Sequence, residues 1–206
     1  MSAEYGSGIV SMSFAMFSSL LILSWFSIVY GETFRAGITY LALLVVSMMV
    51  FMMKVADLPV PIEFIGFKDE PGEDLAVGSF TGIMISLPIM AGLVPPACIE
   101  ASPQLATIVI VAAPLVEEMF FRGLILPTVS ELINPYVALA SQAVLFALYH
   151  VSVWGDTASS LLMGVLMGIL FGALALWRES IEAPIMAHIM FNFVSVIWGT
   201  LGGVCA

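Results

Sequence analysis

The stretch Ser159–Trp177, SSLLMGVLMGILFGALALW, carries no charged residue and no alternation of polar and apolar positions. About 20 mostly apolar residues cross the hydrocarbon core of a bilayer as a helix. A barrel strand would instead alternate with a period of two. Six further stretches of the same kind lie outward from it: Gly8–Tyr30, Ala36–Met53, Val77–Leu93, Leu105–Leu126, Pro135–Trp154 and Ala183–Val204. Lipid offers backbone groups no partner, so such spans are helices. The expected fold is all-α, a polytopic transmembrane bundle of about seven spans, with residues 1–206 forming a single integral membrane domain.

The composition agrees. Of 206 residues, 61% are hydrophobic and only 10% are charged. A soluble domain carries about 25% charged residues, so this chain cannot cover a water-facing globule. With 15 Asp/Glu against 5 Lys/Arg, its net charge of −10 speaks against nucleic-acid binding, which needs basic patches. Cys98 and Cys205 make neither a disulfide framework nor a metal set. No Lys or Arg precedes Arg35, so the first apolar run reads as a retained helix rather than a cleavable signal peptide. Cys205 stands second from the end, and a prenylation box needs it fourth.

One connection is long. Lys54 to Ala76 holds Pro59, Pro61 and Pro71 and much of the acidic surplus, with the apolar PIEFIGF of Pro61–Phe67 in its middle. It is expected to be a connecting loop that touches the headgroups, with an interfacial flap as the other reading. Seven spans put Lys54, Lys68 and Arg178 on one side and Arg35 opposite. The positive-inside rule then places the N-terminus in the cytoplasm. Thirteen of the 15 acidic residues fall in termini and loops and are expected to be solvated.

The remaining two acids fall inside a span. Val116–Gly123 reads VEEMFFRG, placing Glu117, Glu118 and Arg122 at membrane depth. An ionisable group there costs roughly 2.5–3.5 kcal/mol on insertion scales and marks function. Glu118 and Arg122 are four apart and share a helix face, in the favourable order. Glu117 is turned about 100° away and is left for another purpose. The chain's two histidines, His150 and His188, also fall in spans, and Asn192 follows His188 by one turn. Measured from one membrane face, helix rise places Glu117 at roughly 15 Å, His150 at 20 Å, His188 at 8 Å and Asn192 at 14 Å, so spacing permits one shared polar site.

The chemistry of such a set is hydrolytic. A desolvated glutamate serves as general base, a neighbouring histidine shares a water, and a second histidine with an asparagine amide donates to an oxyanion. No HExxH zinc helix, no intramembrane Asp dyad and no GxSxG elbow occurs.

These residues resemble the CAAX prenyl endopeptidase and bacteriocin-processing family of intramembrane proteases. Three patterns carry the likeness: EExxxR at Glu117–Arg122, FxxxH at Phe146–His150, and HxxxN at His188–Asn192, over roughly Leu105–Val194 (105–194). The resemblance implies a glutamic endopeptidase acting on a membrane-associated peptide, prenylated CaaX proteins being one class. Glu117 and His150 would activate water, His188 and Asn192 would form the oxyanion site, and Glu118 and Arg122 would brace the motif. No cofactor is expected. A zinc-dependent version held by Glu117, His150 and His188 is the minority alternative, since one carboxylate and two imidazoles also suit zinc. A non-enzymatic immunity or scaffolding protein is a second alternative. A proton-coupled transporter would ask for internal repeats, which are absent. The resemblance implies a plasma-membrane location in a prokaryote or the endoplasmic reticulum in a eukaryote. It identifies neither the substrate nor the oligomeric state.

Gly164, Gly168 and Gly172 form a GxxxGxxxG ridge. Small residues at that spacing let helices approach closely. Docking beside the catalytic helices and generic packing or dimerisation are both open readings of it.

Overall fold

The computed structural model describes residues 66–96, 106–154 and 156–201. The two spans expected at Gly8–Tyr30 and Ala36–Met53, and most of the long connection, lie outside these residues. The described part is helical throughout, without strands. Three of its helical stretches, Gly72–Met90, Ala158–Arg178 and Glu182–Leu201, are long and apolar enough to cross a membrane, and Pro135–Val151 is a shorter apolar one.

The first described helix, α1, spans Gly72–Ile85, so the expected loop to Ala76 ends earlier. Glu73 and Asp74 occupy its first turn, where carboxylates favour the helix dipole. After Ser86 comes a single turn, α2 (Leu87–Met90). Pro88 supplies no amide hydrogen, and Ser86 Oγ donates back to Gly82 O.

The fourth expected span is not a regular helix ending at Leu126. A wide π turn at Ile108–Ala112 (π1) precedes α3, Ala113–Phe120. A second at Phe121–Ile125 (π2) precedes α4, Leu126–Leu132. Each wide turn leads into a proline at the start of the next helix, Pro114 and Pro127. A proline cannot donate to the carbonyl four residues back. The ladder widens instead, with Ala113 N–H bonding Ile108 O and Leu126 N–H bonding Phe121 O.

Asn134 Oδ1 accepts from Tyr136 N and Val137 N and starts α5, Pro135–Trp154, with proline at the first helical position where its missing N–H is harmless. Thr157 caps α6, Ala158–Arg178, by accepting from Ser160 N. Glu179, at φ 51°, turns the chain into α7, Glu182–Leu201.

Two glycine pairings set the helix spacing. Along α6, a Cβ on Gly164 or Gly168 would fall 2.8 Å from Ala147 Cα or 2.6 Å from Ala143 Cα. Gly172 faces Leu139 and Gln142. The rising series on α6 meets a falling series on α5, so the two pack antiparallel and the ridge docks α6 onto α5. Gly78 and Gly82 of α1 lie as closely against the Ala183 and Ala187 carbonyls of α7, with both series rising, so these two helices run parallel. Around these contacts sits a core of Phe120, Phe121, Phe146, Phe171, Met167 and Ile185. Phe80, Leu162, Trp177 and Leu201 are exposed on the outside, an apolar surface suited to lipid.

The expectation that all loop carboxylates are solvated is corrected at one end of the bundle. Asp74 is only 2% exposed. Lys68 Nζ pairs with it at 2.9 Å, and Arg178 Nε contacts its other oxygen. Glu182 is also buried, accepting from Lys68 N and Ser180 Oγ. Ile181 N donates to Gly66 O. Lys68 and Arg178 thus share one end, as the charge reading placed them.

Candidate active site

α3 carries both glutamates, α5 carries His150 and α7 carries His188. The bundle brings all three helices together. Glu117 Oε2 lies 3.4 Å from His150 Nε2 and 3.9 Å from His188 Nε2. The three side chains are enclosed, at 1%, 4% and 3% exposure. Glu117 Oε2 has no aligned hydrogen bond; its contacts with the imidazoles are ionic in range only.

Glu118 turns the other way, as the 100° offset requires. Its Oε1 accepts from Arg122 Nη1 at 3.0 Å and lies 2.8 Å from His188 Nδ1. A carboxylate only accepts, so His188 Nδ1 holds a proton. His150 Nδ1 lies 2.9 Å from the carbonyl of Phe146, which also only accepts, so this nitrogen is protonated too. The second nitrogen of each ring, Nε2, is the one on the side of Glu117. One carboxylate oxygen therefore lies beside two imidazoles.

Asn192 is placed differently. Its Nδ2 donates to Val109 O in π1 at 2.9 Å, tying α7 to the wide turn one helical turn below His188. One amide hydrogen of Asn192 remains beyond that bond.

Several supporting residues have no signature in the three patterns. Gln142 is fully buried, and its Nε2 donates to Gly168 O at 2.8 Å, the carbonyl that also accepts from Arg122 Nη2 at 3.1 Å. Phe146, the aromatic of FxxxH, lies 4.5 Å from the Arg122 guanidinium carbon and 4.2 Å from the His150 ring. Phe171 stacks on His188 at 4.8 Å. In the sequence, Gln142 stands out only as a polar residue inside an apolar span, and nothing local marks Phe171. A cavity of about 340 Å³, lined by Gly66, Pro127, Glu131, Ser180 and Ile181, reaches Arg122 rather than Glu117.

Glu117, His150 and His188 are of the types zinc accepts. As placed, the described residues contain no group of three or more His, Cys, Asp or Glu set to hold a metal ion.

Residues 100–194 match the model of a family described as type II CAAX prenyl endopeptidase, Rce1-like. This segment is similar to the CAAX endopeptidase family. All three patterns fall inside it. A Bacillus subtilis (strain 168) protein named "Putative membrane peptidase YdiL" is 30% identical over 99 residues, 48% of this chain and 38% of that protein. The match thus spans well under half of that relative. No solved structure matches the chain. This similarity and the three helices long and apolar enough to cross a membrane together make this an integral membrane protein.

Proposed function

We propose that this chain is an intramembrane endopeptidase that hydrolyses a peptide bond of a membrane-associated substrate by a glutamate-activated water. The observation that supports it is Glu117 Oε2, enclosed and facing two imidazole Nε2 atoms at 3.4 and 3.9 Å. A water held between Glu117 and His150 gives its proton to this pair as its oxygen attacks the carbonyl carbon. The same pair returns the proton to the leaving amine.

His188 has its Nδ1 proton committed to Glu118, so it donates from Nε2 to an oxyanion only as a doubly protonated ring, whose charge Glu118 would offset. The second amide hydrogen of Asn192 would serve the same oxygen after a small rotation about its bond to Val109. The CAAX description of the family makes prenylated C-terminal peptides the first substrates to try. The chain's own groups supply base and proton carrier, so the step runs without a metal.

The test is cleavage of a farnesylated CaaX peptide by the purified chain in lipid nanodiscs. Glu117→Gln keeps the shape and removes the base, and it is expected to lower the rate roughly 10²–10⁴-fold, the scale of general-base catalysis. Undiminished cleavage by this variant would refute the mechanism.

A further inference from the structure

Phe146, His150 and Trp154 follow one another at intervals of four along α5, and their rings touch in succession. The His150 ring meets both neighbours at a tilt, 4.2 Å from Phe146 at 40° and 4.2 Å from Trp154 at 30°. Tyr149 closes one edge at 5.2 Å and 84°. The imidazole has two torsions. The Nδ1 bond to Phe146 O fixes one point of the ring, but a ring held at one point can still swing about it. The contacts with Phe146 and Trp154 restrict that freedom. What remains is an orientation that keeps Nε2 3.4 Å from Glu117 Oε2.

Trp154 is itself held in place. Ser160 Oγ donates to its backbone carbonyl at 2.8 Å, which ties the end of α5 to the start of α6. The ring packs beside Gly164: a Cβ there would sit 3.5 Å from Trp154 Cζ3, an ordinary contact. Its edge meets Phe146 at 6.5 Å. The first glycine of the α6 ridge therefore makes space for Ala147 and adjoins the indole beside His150. Phe146 belongs to the FxxxH pattern, whereas Trp154 belongs to none of the three.

We propose that Trp154 is a positioning residue for His150, holding the imidazole plane so that Nε2 stays on Glu117. This rests on the hydrolytic reading above. It acts through His150 rather than on the reacting atoms, so its loss is expected to lower turnover and leave KM unchanged.

The experiment has two arms. In the first, the chain in nanodiscs cleaves the farnesylated peptide with Trp154→Leu, Trp154→Phe and Glu117→Gln side by side. Trp154→Leu is expected to lower kcat roughly 3–10-fold, the rate equivalent of one lost aromatic pair, with KM unchanged. Trp154→Phe restores a ring at the same place and recovers most of kcat. A merely structural tryptophan would instead lower the active fraction and be rescued equally well by Leu and Phe. Wild-type kcat in Trp154→Leu, with Glu117→Gln inactive, would overturn this inference and leave the hydrolytic reading standing. Full cleavage by Glu117→Gln would sink the hydrolytic reading itself.

The second arm needs neither activity nor a stable Trp154 variant. With Trp25, Trp177 and Trp198 changed to Phe, the emission of Trp154 reports ring contact, because a polar imidazole against the indole shifts its emission maximum. His150→Leu is expected to move that maximum to shorter wavelength, and an unchanged maximum would show that the contact does not form.

Discussion

His188 Nδ1 lies 2.8 Å from Glu118 Oε1, and Arg122 Nη1 reaches the same oxygen at 3.0 Å. One carboxylate oxygen therefore orients an imidazole on α7 and neutralises a cation in π2. The tautomer of His188 is a consequence of this shared acceptor, and so is the direction of its Nε2. The second glutamate of EExxxR serves the site through its neighbour.

Removing that charge separates two effects. Glu118→Gln leaves Arg122 buried without a counter-ion, which costs about 3–5 kcal/mol when one partner of a buried pair is lost. The double variant Glu118→Leu with Arg122→Met removes both charges and is expected to be more stable than either single change. Both the Gln variant and the double variant are expected to lose roughly 10²-fold or more in cleavage, because His188 no longer has an anionic acceptor. Thermal unfolding in nanodiscs and the peptide assay read the two effects independently. A double variant less stable than both singles would contradict the pairing.

Gly168 is expected to be the least tolerant glycine of the ridge. A methyl group there would press on Ala143 Cα at 2.6 Å and Cβ at 2.9 Å, so α6 must move away from α5. Overpacking of this kind costs about 1–3 kcal/mol. The shift also displaces the carbonyl that receives Arg122 and Gln142. Gly168→Ala should lower both unfolding temperature and cleavage, and Gly168→Leu should fail to accumulate in the membrane. Gly92 has nothing within 4 Å of its position but sits at φ 71°, so Gly92→Asn, which tolerates that conformation, serves as a neutral control.

At the bundle end, Asp74 joins Lys68 to Arg178. Asp74→Ala is expected to lower the unfolding temperature by several degrees and to expose the peptide bonds near Lys68 to limited proteolysis. Because the carboxylate is buried, high salt should weaken the unaltered chain much less than this substitution does. Equal proteolysis of Asp74→Ala and the unaltered chain would show that the ion pairs do not hold the segment.

Metal dependence has its own outcome. The metal-free step predicts that 1,10-phenanthroline leaves cleavage of the farnesylated peptide unchanged. Inhibition reversed by added zinc would return the zinc version held by Glu117, His150 and His188.

Much of the described fold is legible in the residues. α5 begins and ends where its apolar run does, and α6 differs from its run by one residue at each end. The split between Glu118, paired with Arg122, and Glu117, left over, follows from the 100° step per residue. The wide turns are not legible, although Pro114 and Pro127 mark them, because a proline within an apolar run signals a defect without saying whether the helix kinks, stops or widens. Asp74 and Glu182 defeat the expectation of solvated carboxylates for another reason. A carboxylate at a helix end looks solvated until its cation is known, and Arg178 is 104 residues away from Asp74. The α1–α7 contact through Gly78 and Gly82 has a GxxxG spacing that the sequence displays. Its partner surface, the carbonyls of Ala183 and Ala187, comes only from tertiary structure.

The two wide turns also divide the fourth helix into separately phased pieces. Each offsets the helix face by roughly one residue, or about 100°. The eight residues Ala113–Phe120, which carry both glutamates, therefore keep their own rotational setting, independent of the pieces on either side. Deleting one residue within Phe121–Ile125 would remove the extra residue of this turn and restore a regular ladder with both flanks in phase. Deleting one residue within Ala113–Phe120 instead, where the ladder is already regular, would shift the glutamates against the pieces beyond by about 100°, so the carboxylates and the far end of this helix answer to different constraints.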